Sequence, residues 1–165
     1  MPAPGLSSAC RPCEAMNSAT VHASAVLVGA RAVLIHGPSG SGKSRLALDL
    51  IAAAQGGSLR FARLVGDDRV HLEAVGGRLV VRPAAALAGF IEVRGAGLLR
   101  AAYEPAAVVG LAVDLDAADA ERLPQADKRA AEMCGISVPR LAVAPETAAL
   151  PVVLAVINSP PSDWV

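Results

Sequence analysis

The residues Gly37-Pro38-Ser39-Gly40-Ser41-Gly42-Lys43-Ser44 fit the pattern G-x-x-x-x-G-K-[ST] without a mismatch. Each residue type has a task there. The glycines let backbone N–H groups converge on phosphate oxygens in conformations closed to bulkier residues. The Lys43 ammonium reaches the outer phosphates of a nucleotide, and the Ser44 hydroxyl can ligate magnesium. A glycine turn without a ligand is the plain alternative. The apolar run Ala32 to Ile35 before the loop and the helical spacing after it argue for the phosphate site, because the positive end of the helix would then face the same anion.

Carboxylates follow at suggestive places. Gly66-Asp67-Asp68 closes an apolar run, with Asp67 standing 24 residues after Lys43. A carboxylate at a strand end beside a phosphate loop can hold magnesium or accept the proton of an attacking hydroxyl. On an extended backbone two adjacent aspartates point to opposite sides, which predicts different tasks for Asp67 and Asp68. The same dipeptide is also a common turn. Asp114 and Asp116 end another apolar run and read as turn and cap residues. Glu92 and Arg94 lie on one face of an extended segment, followed by Gly95 and Gly97. Glu92 could complete a magnesium site and Arg94 could pair with phosphate, or the two could form a surface ion pair. His22, taken alone, is an ordinary surface or turn histidine.

The elements that must carry these groups are legible in outline. Ala25–Val28 and Ala32–His36 flank Gly29-Ala30-Arg31 as a hairpin. Ser44 to Ala54 has helical spacing, ended by Gly56-Gly57. Arg63–Val65 is a short strand. Val70–Leu72 and Leu79–Val81 form a hairpin about Gly76-Gly77. Ala106 to Leu115 is a strong strand, Ala117 to Arg122 reads as a short helix, and Leu141–Val143 and Val152–Ile157 complete the apolar elements. The fold expected from these elements is α/β with a strongly β middle section around the phosphate loop. Residues 1–19 read as a disordered tail, or as an over-extended start with Met16 as initiator; residues 20–160 read as one domain.

Composition sets the outer bounds. Hydrophobic residues make up 53% of 165, yet the aromatics are only Phe61, Phe90, Tyr103 and Trp164, so the core must be built from Ala, Val, Leu and Ile. Acidic and basic side chains number 15 each, which gives no electrostatic case for nucleic acid or an acidic membrane. No apolar run reaches the ~20 residues of a membrane span, and the N-terminus lacks a secretory pattern, so a soluble cytoplasmic protein is expected. Cys10 and Cys13 have CxxC spacing with no second pair to complete a zinc site.

Taken in order, the segments resemble the catalytic domain of the HPr kinase/phosphorylase family, in its short proteobacterial form. The likeness runs from about His22 to Ile157 and implies a P-loop-containing kinase domain, α/β with a mixed β-sheet and flanking helices, as one catalytic domain over residues 20–160. It rests on His22 ahead of the phosphate loop, the loop Gly37 to Ser44, Leu64-Val65-Gly66-Asp67-Asp68-Arg69-Val70, and Glu92-Val93-Arg94-Gly95-Ala96-Gly97-Leu98. The resemblance implies ATP and Mg2+ as cofactors. Lys43 and the loop backbone would bind the phosphates, and Ser44 with Glu92 would hold the metal. Asp68 would take the proton of a serine on an HPr-like phosphocarrier protein, assisted by His22 and Asp67. Arg122, in Glu121-Arg122-Leu123, matches the family's catalytic arginine less closely.

The chain also departs from the pattern. After Val138-Pro139 the family has a basic Arg-Pro-Gly-Arg-Asn-like segment tied to the reverse, phosphate-consuming reaction; here the sequence reads Ala144-Pro145-Glu146-Thr147-Ala148. The expectation is therefore a protein-serine kinase in the phosphotransferase system with weak phosphorylase activity. A nucleotide-responsive binding module and a small-molecule P-loop kinase are the competing readings. The resemblance leaves homo-oligomerisation open.

Overall fold

A computed structural model describes residues 18–159. The Cys10–Cys13 pair, Met16 and Trp164 lie outside them. The strands are β1 (Ser18–Val21), β2 (Ser24–Val28), β3 (Arg31–His36), β4 (Ala62–Gly66), β5 (Val70–Val75), β6 (Arg78–Pro83), β7 (Phe90–Val93), β8 (Gly97–Arg100), β9 (Ala107–Asp114), β10 (Ala130–Met133) and β11 (Ile136–Ala142). Two helices accompany them, α1 (Lys43–Gln55) and α2 (Ala149–Asn158).

The main sheet runs β1-β5-β6-β9-β3-β2-β4, with β11 parallel to β9 and β10 paired to β11. At its centre β3 and β9 are parallel, and both read as near-continuous apolar runs because both faces of the sheet are covered. On β3, Val33 and Ile35 enter one core with Leu46, Ala47 and Leu50 of α1 and Val153 of α2. Ala32 and Leu34 enter a second core on the other face, with Leu72 of β5 and Leu79 and Val81 of β6. Alternation along one strand thus joins a helix-covered layer to a strand-covered one.

The expected hairpins β2–β3 and β5–β6 are present, as are α1, β4 and β9. Two expectations need correction. β1 begins at Ser18, inside the span read as a tail, and pairs Ser18 to Val21 with β5. Ala117–Arg122 is not a helix but a chain of turns. Asp116 is left-handed there (φ 53°), and Arg140 draws Asp119 away with two hydrogen bonds, which fixes a non-helical path. The last element, α2, includes Pro151. The proline sits in the first turn of α2, where its missing N–H would have no intrahelical partner in any case.

A separate hairpin, β7–β8, pairs Val93 with Gly97 and Glu92 with Leu98. Its connection is Arg94-Gly95-Ala96, with Gly95 and Gly97 at φ 88° and 87°. The glycines of the Glu-x-Arg-Gly-x-Gly segment are thus the turn that brings Glu92 and Arg94 back toward the phosphate loop.

Candidate active site

The phosphate loop joins the end of β3 to the start of α1. Gly42 caps the helix in the left-handed region (φ 95°), and its carbonyl accepts the Leu46 N–H at 2.8 Å. Gly37 has φ 147°, and a Cβ there would lie 2.5 Å from Ser41 Oγ and 3.0 Å from Leu115 Cβ, so no other residue fits. Lys43 is buried, and its Nζ donates to the carbonyls of Gly37 and Pro38 at 2.9 Å each, drawing the loop into a closed ring. Ser41 Oγ is buried inside this ring with no hydrogen-bond partner among the described residues. A buried hydroxyl in a cradle of left-handed glycines, beside an ammonium and a helix N-terminus, fits a polyphosphate chain.

Asp67 is the hub beside the loop. It is 3% exposed, and its carboxylate gathers three segments of the chain. Ser44 Oγ lies 2.8 and 2.9 Å from its two oxygens, the Glu92 N–H donates to Oδ2 at 2.9 Å, and Ser24 Oγ donates to Oδ1 at 2.5 Å. These donors suit a buried anion, which is costly unless hydrogen-bonded.

Asp68 faces the other way. It is left-handed (φ 66°), and the Arg69 N–H closes a tight turn onto the Asp67 carbonyl at 2.8 Å. Its Oδ1 lies 3.0 Å from His22 Nε2, with both side chains 51% exposed. The opposite aim of the two aspartates was foreseen, but its cause is this left-handed turn and not strand alternation. The Asp-Asp dipeptide is thus a turn whose two carboxylates face different neighbours.

Arg94 lies over the loop: a Cβ on Gly40 would be 3.8 Å from its guanidinium. Glu92 is held at Asp67 through its backbone, and its side chain is exposed. Behind the loop, His36 Nε2 is buried without a partner among the described residues. Burial holds its imidazole below the usual value; Asp114 opposes that shift and Lys43 adds to it.

Arg122 is exposed in the loop after β9 and makes no hydrogen bond or ion pair among the described residues. Arg140 on β11, by contrast, is held by two carboxylates. Its Nε donates to Asp114 at 2.5 Å, and its two terminal nitrogens donate to Asp119 at 2.8 and 2.9 Å. That fork holds Asp119 below its ordinary pKa. Asp114, expected as a turn residue, is therefore one half of an inter-strand ion pair.

The donors near the loop are hydroxyl and carboxylate oxygens, the ligands a hard cation takes. Among the described residues no three His, Cys, Asp or Glu side chains converge into a metal cage. Such a sparse set suits Mg2+, which is commonly held by one or two carboxylates together with substrate phosphates. Ser44 and Asp67 could hold it, with Glu92 at the edge. The family resemblance implies Ser44 and Glu92 as metal ligands with Asp67 assisting, while the residue pattern alone leaves Asp67 open to either task. Neither marks Ser24, since one serine in an apolar strand carries no signal of its own.

Residues 14–157 match the family described as HPr Serine kinase C-terminal domain. The chain belongs to that family. Among curated relatives, the HPr kinase/phosphorylase of Clostridium beijerinckii is 39% identical over 79 residues, covering 48% of this chain and 24% of that one. The HPr kinase/phosphorylase of Neisseria meningitidis is 38% identical over 104 residues, covering 58% and 30%. The matched stretches thus span about a quarter to a third of those relatives' length. A solved structure, the Hpr(Ser) kinase/phosphatase from Coxiella burnetii, superposes with a TM-score of 0.69 over 85% of this chain and 94% of that one. At 23% identity this establishes the fold: mixed α/β with a large mixed sheet. Among the described residues no helix is long and apolar enough to cross a membrane.

Proposed function

We propose that this chain is an ATP- and magnesium-dependent protein-serine kinase acting on a phosphocarrier protein of the HPr type. The observation that carries the reading is the division of labour in the Asp-Asp pair. Asp67 is buried and saturated with donors beside the phosphate loop, while Asp68 is open to solvent and paired with His22. A buried, fully bonded carboxylate is poorly placed to receive a substrate proton; an exposed one beside an imidazole is well placed.

In this reading Lys43 and the loop N–H groups bind the phosphates of ATP, and Arg94 adds positive charge from the β7–β8 turn. Ser44, Asp67 and Glu92 hold Mg2+, which when bound neutralises charge on the outer phosphates. The serine oxygen forms a bond to the γ-phosphorus as the bond to the bridging oxygen breaks, ADP leaves, and the serine proton passes to Asp68. His22 shares that charge through its contact with Oδ1. Phosphoryl transfer asks mainly for positioning and charge stabilisation, which these elements supply.

The test is incubation with γ-labelled ATP, Mg2+ and an HPr-type protein. Label on a serine of the acceptor is the expected result. Tight ATP binding with no transfer to any such acceptor would favour the nucleotide-responsive module instead.

A further inference from the structure

Ser24 stands at the first position of β2 and is fully buried. Its neighbours in sequence, Ala23, Ala25 and Val26, are buried apolar residues, so a hydroxyl here would be costly without a partner. Its partner is Asp67 Oδ1, at 2.5 Å. Asp67 Oδ2 accepts the Glu92 N–H, and Ser44 Oγ lies within 2.9 Å of both oxygens.

We infer that Ser24 is a positioning residue for the metal side of the site, acting through Asp67 on the hydroxyl of Ser44. A carboxylate can swing about its Cβ–Cγ bond. Ser24 from one side and the Glu92 N–H from the other fix its plane. The fixed carboxylate then receives the Ser44 hydroxyl hydrogen, which leaves the lone pairs of Ser44 Oγ free to face a cation. Ser24 touches neither nucleotide nor metal in this arrangement. Its effect is on how well Ser44 and Asp67 present oxygen to Mg2+, as outer partners of metal ligands commonly do. The inference rests on the magnesium-nucleotide reading of the site.

The experiment measures nucleotide affinity by calorimetry across a magnesium titration, using a non-hydrolysable ATP analogue and the full chain. Ser24→Ala is expected to raise the magnesium concentration for half-maximal tightening by roughly 10- to 100-fold. Affinity for the analogue without magnesium stays unchanged. Ser24→Thr, which keeps the hydroxyl, restores most of the wild-type magnesium dependence. Thermal melting checks that each variant is folded; should Ser24→Ala not fold, Ser24→Cys keeps the volume, weakens the donor and takes its place with the same expected shift. An unchanged magnesium dependence in the Ala or Cys variant overturns the inference. So does an equal loss of affinity with and without magnesium, which marks a merely structural serine. A wild-type chain whose nucleotide binding ignores magnesium would instead count against the underlying reading of the site.

Discussion

Asp67 and Asp68 are adjacent in sequence but belong to different environments: the first is buried against Ser44, the second is half exposed against His22. The left-handed backbone at Asp68 separates them. A non-glycine residue in that region costs on the order of 1 kcal/mol, and the Asp67–Arg69 turn holds it there. In the proposed reading, the separation would give one carboxylate to the metal side of the phosphate loop and one to an approaching hydroxyl.

Lys43 is the first residue to test on the phosphate side. Its ammonium holds the loop through Gly37 and Pro38, and in the proposed reading it would supply positive charge to the outer phosphates. Lys43→Ala should weaken ATP binding by roughly 10- to 100-fold, the value of charge-assisted hydrogen bonds. Equilibrium binding of a fluorescent ATP analogue measures this; wild-type affinity would show that the loop binds without its lysine.

Gly37 tests the shape of the loop. An alanine Cβ would strike Ser41 and Leu115, so Gly37→Ala should lower stability by roughly 1–3 kcal/mol and distort the phosphate cradle. Gly76, also at positive φ but with nothing within 4 Å of its Cβ position, is the control. Gly76→Ala should cost only the backbone strain of roughly 1 kcal/mol. Denaturant melts of both variants compare the two effects, and equal losses would remove the steric argument.

Much of this site is legible in the sequence. The glycine-lysine-serine spacing announces its own chemistry, and the apolar runs on either side required a strand and a helix. What stayed hidden depends on contacts between distant segments. Ser24 and Asp67 are 43 residues apart, and nothing in the local pattern of β2 marks Ser24 as a donor. The turns at 117–122 were misread as helix because the force that shapes them, the Arg140 fork on Asp119, comes from a strand 21 residues later. The ion pairs of Arg140 were likewise hidden; the arginine the resemblance implies, Arg122, lies exposed.

His36 gives a pH dependence of known sign. Burial lowers its pKa in the folded chain below the ordinary 6.5, against the pull of Asp114 and with the help of Lys43. The unfolded chain therefore binds more protons as pH falls through that range. The stability contributed is full above about pH 6.5 and is lost as pH falls toward the folded pKa. Melting temperatures between pH 8 and pH 5 should decline, and His36→Gln should flatten part of that decline. An identical slope in the variant would place the effect elsewhere.

The reverse reaction should be weak. Inorganic phosphate needs arginine forks or a nest of N–H groups, and the chain has Pro145-Glu146-Thr147 where a basic segment would serve. Arg140 does not replace it, because Asp114 and Asp119 already occupy its guanidinium. Glu146 would repel phosphate by roughly 1 kcal/mol in a partly screened site. Pyrophosphate release from a serine-phosphorylated carrier plus inorganic phosphate should be slow or absent; robust release would show that another cation binds the attacking phosphate.

The central claim is that Asp68, with His22, receives the serine proton while Asp67 serves the metal side. The most direct measurement compares single-turnover transfer from γ-labelled ATP to an HPr-type protein by the wild-type, Asp68→Asn and Asp67→Asn chains, with magnesium-ATP affinity measured alongside. The account predicts that Asp68→Asn binds magnesium-ATP as the wild type does but transfers at least about 100-fold more slowly, since an amide cannot accept the proton. Asp67→Asn should lose magnesium-dependent affinity. Transfer by Asp68→Asn at the wild-type rate would contradict the account.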